Sequence, residues 1–285
     1  MRTTIPYAQQ NYETVGGCDK IKSGCENCYA IPLIHRMNCC QKKQGRYKGL
    51  VKNGNWTGKI KLFEDRIEQP LRRRLPTTYF VNSRSDTFHK DVPFEFIDRI
   101  IETIMKCPQH TFLFFTKRWA RCWQYFQDVH ETEVVARRVP NPFPLPNVQM
   151  FFSASTQEEV DEAAPILLQL PVAKRGFSLE PLLEDVDIAN AYTTEMYHRL
   201  ATGDWEYELP GLDSIIVGGE SGPKRRPCKL EWIESIVAQC EEAGVPVYVK
   251  QIDTTDLRPP GVLNNKVSTK PEEWPPSLRV REMPK

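Results

Sequence analysis

The 285-residue sequence has no apolar run approaching the ~20 residues that a membrane-spanning helix needs. Its opening residues, Met1-Arg2-Thr3-Thr4-Ile5-Pro6, lack the apolar core of an export signal. No membrane partner is therefore expected, and the expected location is cytoplasmic (the host cytoplasm if the gene is viral). Neither sign of charge is in excess: Lys and Arg total 38 against 37 acids, for a net charge of +1. That balance excludes a globally basic nucleic-acid coat but not a local basic patch. A dinucleotide-type glycine fingerprint and a fixed-period repeat are both missing. What is present is ordinary for a globular chain able to bury a core, with 40% hydrophobic and 26% charged residues.

Cysteine is the exception. Nine cysteines are many for a cytoplasmic chain, and metal, cluster or catalytic use is a stronger reading than a disulfide framework. Cys18, Cys25 and Cys28 crowd one loop, Cys39 and Cys40 follow, and Cys107, Cys122, Cys228 and Cys240 are scattered. Cys107 and Cys240 fall near the ends of expected helices, as buried small hydrophobes do. The loop places six residues between Cys18 and Cys25 and two between Cys25 and Cys28, with Gly16, Gly17 and Gly24 letting the backbone fold tightly. Thiolates suit zinc or an iron–sulfur centre. Structural zinc asks for four closed ligands, the fourth from His35 or Cys39, whereas a reactive cubane needs only three. Spacing alone leaves both open.

Short β-rich runs recur and alternate with amphipathic stretches. Strands are expected at Tyr79–Asn82, Thr111–Phe115, Val148–Phe152, Gly176–Leu179, Ser214–Val217 and Val245–Val249, with a short one before Cys18. Helices are expected over Pro93–Lys106, around Trp119–Phe126, over Gln157–Leu167 and over Leu230–Ala243. Strands this short and apolar, alternating with helices, indicate an α/β fold with a parallel sheet, read as a complete or partial TIM-like (β/α) barrel. The polar clusters favour a barrel. Asn82-Ser83-Arg84-Ser85-Asp86, Thr116-Lys117-Arg118, Ser153-Ala154-Ser155, Glu180-Pro181, Gly218-Gly219-Glu220-Ser221 and Lys250-Gln251 each follow a strand, and C-terminal strand ends form the functional face of such a barrel. Helix capping accounts for Ser85, Asp86 and Ser155 but not for Lys117, Arg118, Glu180 or Lys250. The chain is read as one domain over residues 1–285, with a cysteine loop at 16–30, an insertion at about 189–212 and a proline-rich segment from about 258 to 285. Residues 41–75 are basic and loop-rich.

Taken together, Gly17-Cys18, Gly24-Cys25-Glu26-Asn27-Cys28-Tyr29-Ala30, Phe80 to His89, Thr116-Lys117-Arg118, Ser178 to Leu182, Val217 to Gly222, Lys250-Gln251 and Leu278 to Glu282 resemble, nearly end to end, a phage and prophage three-cysteine-motif family related to radical S-adenosylmethionine enzymes. The resemblance implies a radical-SAM-like fold and a [4Fe-4S] cluster held by Cys18, Cys25 and Cys28, with S-adenosylmethionine chelated by the open iron. It further implies an electron donor and reductive cleavage of the cofactor to a 5′-deoxyadenosyl radical, the protein orienting reactants and excluding water. The commonest pattern of that enzyme class has three residues between the first two cysteines and an aromatic just before the third. Here there are six, and Tyr29 follows Cys28. Gly218-Gly219-Glu220 resembles the glycine-glycine-glutamate element that grips the methionine amine. By position, Asn82, Ser83 and Asp86 are the candidates for the methionine end, and Ser153, Ser155 and Glu180 for ribose or adenine.

Lys117, Glu220 and Lys250 are the charged residues placed near substrate, with Glu220 and Lys250 a candidate pair. Adjacent Lys117 and Arg118 suit phosphate or carboxylate, and His89 is a candidate proton donor. Basic clusters at 41–48, 72–74, 117–121, 137–138 and 224–226, with Trp119, Trp123, Tyr192 and Trp205 for stacking, suit a flipped or unpaired base. The expected partner is therefore nucleic acid or a modified nucleotide. One concrete reaction, by analogy with viral DNA hypermodification, is isomerisation of an amino-acid-decorated thymine. The alternative is a zinc-stabilised, noncatalytic nucleic-acid-binding protein.

Overall fold

A computed structural model of the chain describes residues 3, 5–39, 45–131, 144–188, 211–257 and 267–284. They belong to two compact units. The first comprises Met1–Lys22, Cys28–Phe151 and Leu170–Lys174, and the second Ser23–Asn27, Phe152–Gln169 and Arg175–Lys285.

In the first unit, β1 (Gln10–Tyr12), β6 (Thr78–Val81) and β7 (Thr111–Thr116) run parallel, with Tyr12 opposite Val81 and Val81 opposite Phe114. Between β1 and β6 lie β2 (Val15–Gly16), α1 (Ala30–Cys39), β3 (Val51–Lys52), β4 (Asn55–Trp56) and β5 (Lys61–Leu62). Helix α2 (Phe94–Met105) buries Ile97, Ile100, Ile101 and Ile104 along one face, the spacing expected of a helix laid on a sheet. It is followed by α3 (Trp119–Glu131). The sheet interior is aromatic: Phe80 stacks on Phe115 with centroids 4.4 Å apart, and Phe115 on Phe151 at 4.7 Å.

Residues 45–75, read as loop from their basic composition, carry more structure than that. Asn53 and Gly54, both at positive φ, turn the β3–β4 hairpin, the Asn-Gly signal of a two-residue hairpin loop. Ile34 of α1, Tyr47, Leu50 and Phe63 form a small core beneath it.

Strand β8 (Val148–Ala154) starts in the first unit and ends in the second; all seven of its residues are buried, the polar Gln149 and Ser153 included. In the second unit, β9 (Lys174–Leu179), β10 (Ser214–Gly218) and β11 (Val247–Asp253) are parallel, and β12 (Val267–Ser268) closes the edge antiparallel to β11. Helix α4 (Gln157–Gln169) follows β8. Helix α5 (Leu230–Ala243) buries Ile233, Ile236, Val237 and Cys240 and stops at Gly244 in the left-handed conformation. The strand order is β1-β6-β7-β8-β9-β10-β11-β12, a mostly parallel α/β sheet. The proline-rich C-terminal segment is anchored where it is described: Trp274 and Leu278 are buried, and Glu282 donates its N–H to the Val247 carbonyl. Among the described residues no helix is long and apolar enough to cross a membrane.

Candidate functional site

Parallel pairing brings the C-terminal ends of β1, β6 and β7 to one edge of the first unit, and that edge holds the polar residues singled out from the sequence. Asn82 has a left-handed backbone, φ 55, which an asparagine tolerates better than most residues. Its Oδ1 accepts the backbone N–H groups of Thr14 and Val15 at 2.8 and 3.0 Å, and its Nδ2 donates to Thr87 Oγ1 at 2.8 Å. Asn82 thus stitches β6 to the chain running from β1 toward Cys18. Ser83 donates to Glu13 Oε1 at 2.5 Å, and Glu13 pairs with buried Arg84 at 3.1 Å. The Tyr29 hydroxyl donates to the Ser83 carbonyl.

Asp86 is buried and accepts Thr116 Oγ1 at 2.8 and 2.9 Å, Phe88 N–H at 2.9 Å and Lys117 N–H at 3.2 Å. Burial pushes its carboxyl above the usual range, against the pull of Arg118. Arg118 bonds Asp19 and lies 3.8 Å from Cys18 Sγ. Burial also pushes the Cys18 thiol up to about 12, with the Asp86 charge adding to it and Arg118 opposing both. Asp19 is held below the carboxylate range because Arg118 and His89 outweigh its burial.

His89 is fully buried, with Nδ1 accepting the Asp91 N–H at 3.2 Å and Nε2 3.3 Å from Asp19 Oδ1. Burial and then the Arg118 charge lower its pKa, so the ring is neutral at pH 7, with the proton on Nε2. The candidate proton donor is therefore a buried neutral imidazole.

In the second unit the C-terminal ends of β9, β10 and β11 carry or lead into Glu180, Gly218–Glu220 and Lys250. Lys250 Nζ pairs with Glu180 Oε1 at 3.0 Å, not with Glu220. Gly218 is bare for a steric reason: a Cβ there would stand 3.1 Å from both Glu180 Oε1 and the Gln251 carbonyl. Ser153 and Ser155 are buried, and Ser155 donates its N–H to Glu159 Oε2 at 2.7 Å.

Glu220 is buried and accepts Arg226 N–H at 2.7 Å, Arg226 Nη2 at 2.5 Å and Asn27 Nδ2 at 3.0 Å. Its partner is Arg226 because the turn after Gly222 returns the chain beside it, while Lys250 is taken by Glu180. Burial raises the Glu220 carboxyl, but the Arg226 and Asn27 bonds win and hold it below the usual glutamate range. A carboxyl depressed on folding contributes stability above its unfolded pKa of about 4.3 and loses it as pH falls through the lower folded value. Glu220→Gln is therefore expected to flatten the acid limb of a plot of melting temperature against pH, below about pH 4.3. An unchanged acid limb would refute that assignment.

The basic clusters divide in the same way. Arg121 donates to the carbonyls of His89 and Val92, Arg225 lies 3.6 Å from buried Asp253, and Arg72, Arg73 and Arg74 are exposed. Trp119, expected to stack on a base, is itself buried, with Lys22 Nζ 4.3 Å from its ring centre. Tyr192 and Trp205 of the 189–212 insertion, with Cys40, Lys42, Lys43 and positions 137–138, lie outside the described residues.

No disulfide joins the eight described cysteines. Cys107, Cys122, Cys228 and Cys240 are buried, Cys39 is exposed, and only Cys18, Cys25 and Cys28 are half-buried. The loop trio is thus the set of residues neither fully buried nor exposed, although the Cys18 thiol itself is largely shielded. Cys18 and Cys28 are near enough to feel each other's charge. Among the described residues, no three Cys, His, Asp or Glu side chains already stand close enough together to hold a metal ion. The donor chemistry fits a three-thiolate centre, and Arg118 supplies a cation beside one of the sulfurs.

Sequence reasoning missed Glu13, Asp19 and Glu159, and placed Arg226 only within the basic cluster at 224–226. Glu159 had a signal, since Thr156-x-x-Glu159 before a helix is a capping-box pattern, but that pattern accounts for a helix start and nothing more.

The family model described as "Protein of unknown function (DUF5131)" matches residues 2–268. No curated protein matches the sequence. Solved structures of spore photoproduct lyase are among those with similarity. A cysteine-to-serine mutant gives 15% identity and TM-score 0.43, and a double mutant with bound AdoMet and dinucleoside spore photoproduct gives 13% and 0.44. Each alignment covers 85% of this chain and 63% of the lyase chain, so the chain spans less than two thirds of the length of the proteins it matches. At those scores the likeness carries no statement about the chemistry of this chain.

Proposed function

The chain belongs to the DUF5131 family, and within that family we propose that it works as a radical S-adenosylmethionine enzyme acting on a nucleobase in nucleic acid or a modified nucleotide. The observation that carries this reading is the loop trio: of the eight described cysteines, only Cys18, Cys25 and Cys28 are half-buried. Those three residues would hold a [4Fe-4S] cluster, on a fold read as a complete or partial radical-SAM-like barrel. When bound, the cluster and S-adenosylmethionine supply a 5′-deoxyadenosyl radical, with an external electron donor.

The chain's own residues prepare the place for that chemistry. Asn82 fixes the backbone leading from β1 toward Cys18 by taking the Thr14 and Val15 N–H groups. Arg118 sits beside Cys18 Sγ and favours its thiolate form, which burial alone disfavours. Ser83 and Asp86 are proposed at the methionine end, and Ser153, Ser155 and Glu180 at the ribose and adenine end. Lys117 and Lys250 are proposed to face substrate anions, the Lys250 ammonium being held in place by Glu180 at 3.0 Å. Glu220, kept ionised by Arg226 and Asn27, holds the cysteine segment and has no proton to give at neutral pH. The amino-acid-decorated thymine of viral DNA remains one concrete substrate for such a site.

Electron paramagnetic resonance on anaerobically reconstituted, reduced protein tests the reading. The expected result is a reduced-cluster signal that shifts when S-adenosylmethionine is added, reporting an open iron. Near-stoichiometric zinc with no cluster signal after careful reconstitution would overturn it in favour of a zinc-stabilised binding protein.

A further inference from the structure

We infer that Glu159 is a positioning residue for Cys25, its carboxylate setting the turn that carries that thiol. The inference deepens the proposed reading, in which Cys25 is a cluster ligand, but its geometry stands independently.

Glu159 is the third residue of α4, where a capping-box glutamate folds back to the N–H of the cap residue. Half of that motif is present: Thr156 Oγ1 accepts the Glu159 N–H at 3.3 Å. The carboxylate, however, goes elsewhere. Oε2 accepts the N–H of Ser155, one residue before the cap, at 2.7 Å. Oε1 accepts both the N–H of Ser23 at 3.1 Å and its hydroxyl at 2.7 Å, across 136 positions of sequence.

Ser23 opens the single 3-10 turn Ser23–Cys25, so Glu159 grips the turn at its first residue, two before the thiol. The remaining polar group of Ser23, its carbonyl, accepts Arg226 Nη2 at 3.1 Å and the Glu26 N–H at 3.3 Å. Beyond Cys25, Asn27 donates to Glu220 at 3.0 Å and to the Lys224 carbonyl at 2.9 Å. Cys25 therefore sits between two carboxylate anchorages, and Arg226 feels the charge of both acids.

A helix cap alone does not account for this arrangement. A capping glutamate works at the surface, whereas Glu159 is buried, and burying a carboxylate is unfavourable unless donors surround it. Three donors do, and two of them belong to the residue that starts the Cys25 turn. The backbone on both sides of the thiol is held before any centre binds, which is what a metal ligand requires of its supporting residues.

The test uses the full-length, cluster-free protein and reads the rate of Cys25 alkylation by iodoacetamide, residue by residue, by mass spectrometry. Glu159→Ala is expected to speed Cys25 labelling about tenfold, the effect of freeing a segment held by charge-assisted bonds. Glu159→Gln, keeping one acceptor, should fall between it and wild type. Thr156→Ala weakens the helix cap without touching Ser23 and should leave Cys25 at the wild-type rate. Ser23→Ala, which removes one donor and keeps the carboxylate, should move the rate in the same direction as Glu159→Ala and serves if that variant fails to fold. After anaerobic reconstitution, Glu159→Ala should also retain less iron than wild type. Wild-type labelling in Glu159→Ala, or equal acceleration in Thr156→Ala, would overturn the inference. Faster labelling in Glu159→Ala together with full iron retention in Cys25→Ala would uphold the positioning role and sink the cluster reading instead.

Discussion

Cys25→Ala is expected to leave anaerobically reconstituted protein without iron and sulfide, colourless and unable to cleave S-adenosylmethionine. A three-thiolate centre has no spare protein ligand, so removing one sulfur removes the site rather than weakening it. The half-buried thiol of Cys25 differs in this respect from Cys122 and Cys240, which are sealed in the interior. Burial raises the Cys240 thiol to about 12 and Cys122 well above the ordinary thiol range, whereas at Cys18 Arg118 opposes the same effect of burial. Cys240→Ala is the matched control: a small cavity, lower stability and unchanged iron. Iron and sulfide assays on the two variants decide the matter. A Cys25→Ala protein that stays brown and active would refute the cluster assignment.

Gly17→Ala is expected to destabilise the fold by about 3–5 kcal/mol, with the loss read as a lowered thermal or denaturant midpoint. Gly17 has φ +95, outside the range L-residues occupy comfortably, and a Cβ there would fall 2.1 Å from the Lys59 carbonyl oxygen. The contact is with backbone, so no side chain can rotate away; the β2–β5 pairing, Gly16 with Lys61, would have to open. Cys18 is the next residue, and the strain would enter the cysteine loop directly. Gly49→Ala, also at positive φ but with nothing within 4 Å of the added carbon, isolates the conformational share, about 1–2 kcal/mol. Equal effects at the two glycines would show that the steric account of Gly17 is wrong.

Much of the architecture was legible in the amino-acid sequence because it depends on local pattern. The Ile97, Ile100, Ile101 and Ile104 stripe could only be a helix face, and the mostly apolar run at Val148–Phe152, broken only by Gln149, a strand covered on both sides. Leu230–Ala243 agrees with its expected bounds because Gly244 offers a left-handed stop. Strand ends were placed one to four residues short at β7, β8 and β11, where polar residues such as Ser153, Gln251 and Asp253 continue the strand. Polar character hid their extended backbone. In residues 45–75 basic composition suggested loop, although Asn53-Gly54 carries the local signal of a hairpin turn.

The candidate site was legible as a list of residue types, not as a set of partners. Sequence by itself determined that Cys18, Cys25 and Cys28 share a glycine-bearing loop and that strand ends carry Asn82, Asp86, Arg118, Glu180, Glu220 and Lys250. Only tertiary structure decided that Asn82 is taken up by the Thr14–Val15 backbone, that Glu220 answers to Arg226 and Lys250 to Glu180, and that Glu159 grips Ser23. The physical reason is reach. Periodicity and turn chemistry act over a few residues and are written into neighbours along the chain. A buried carboxylate takes whichever donor the fold delivers within ~3 Å, and that donor is chosen by packing among residues far apart in sequence.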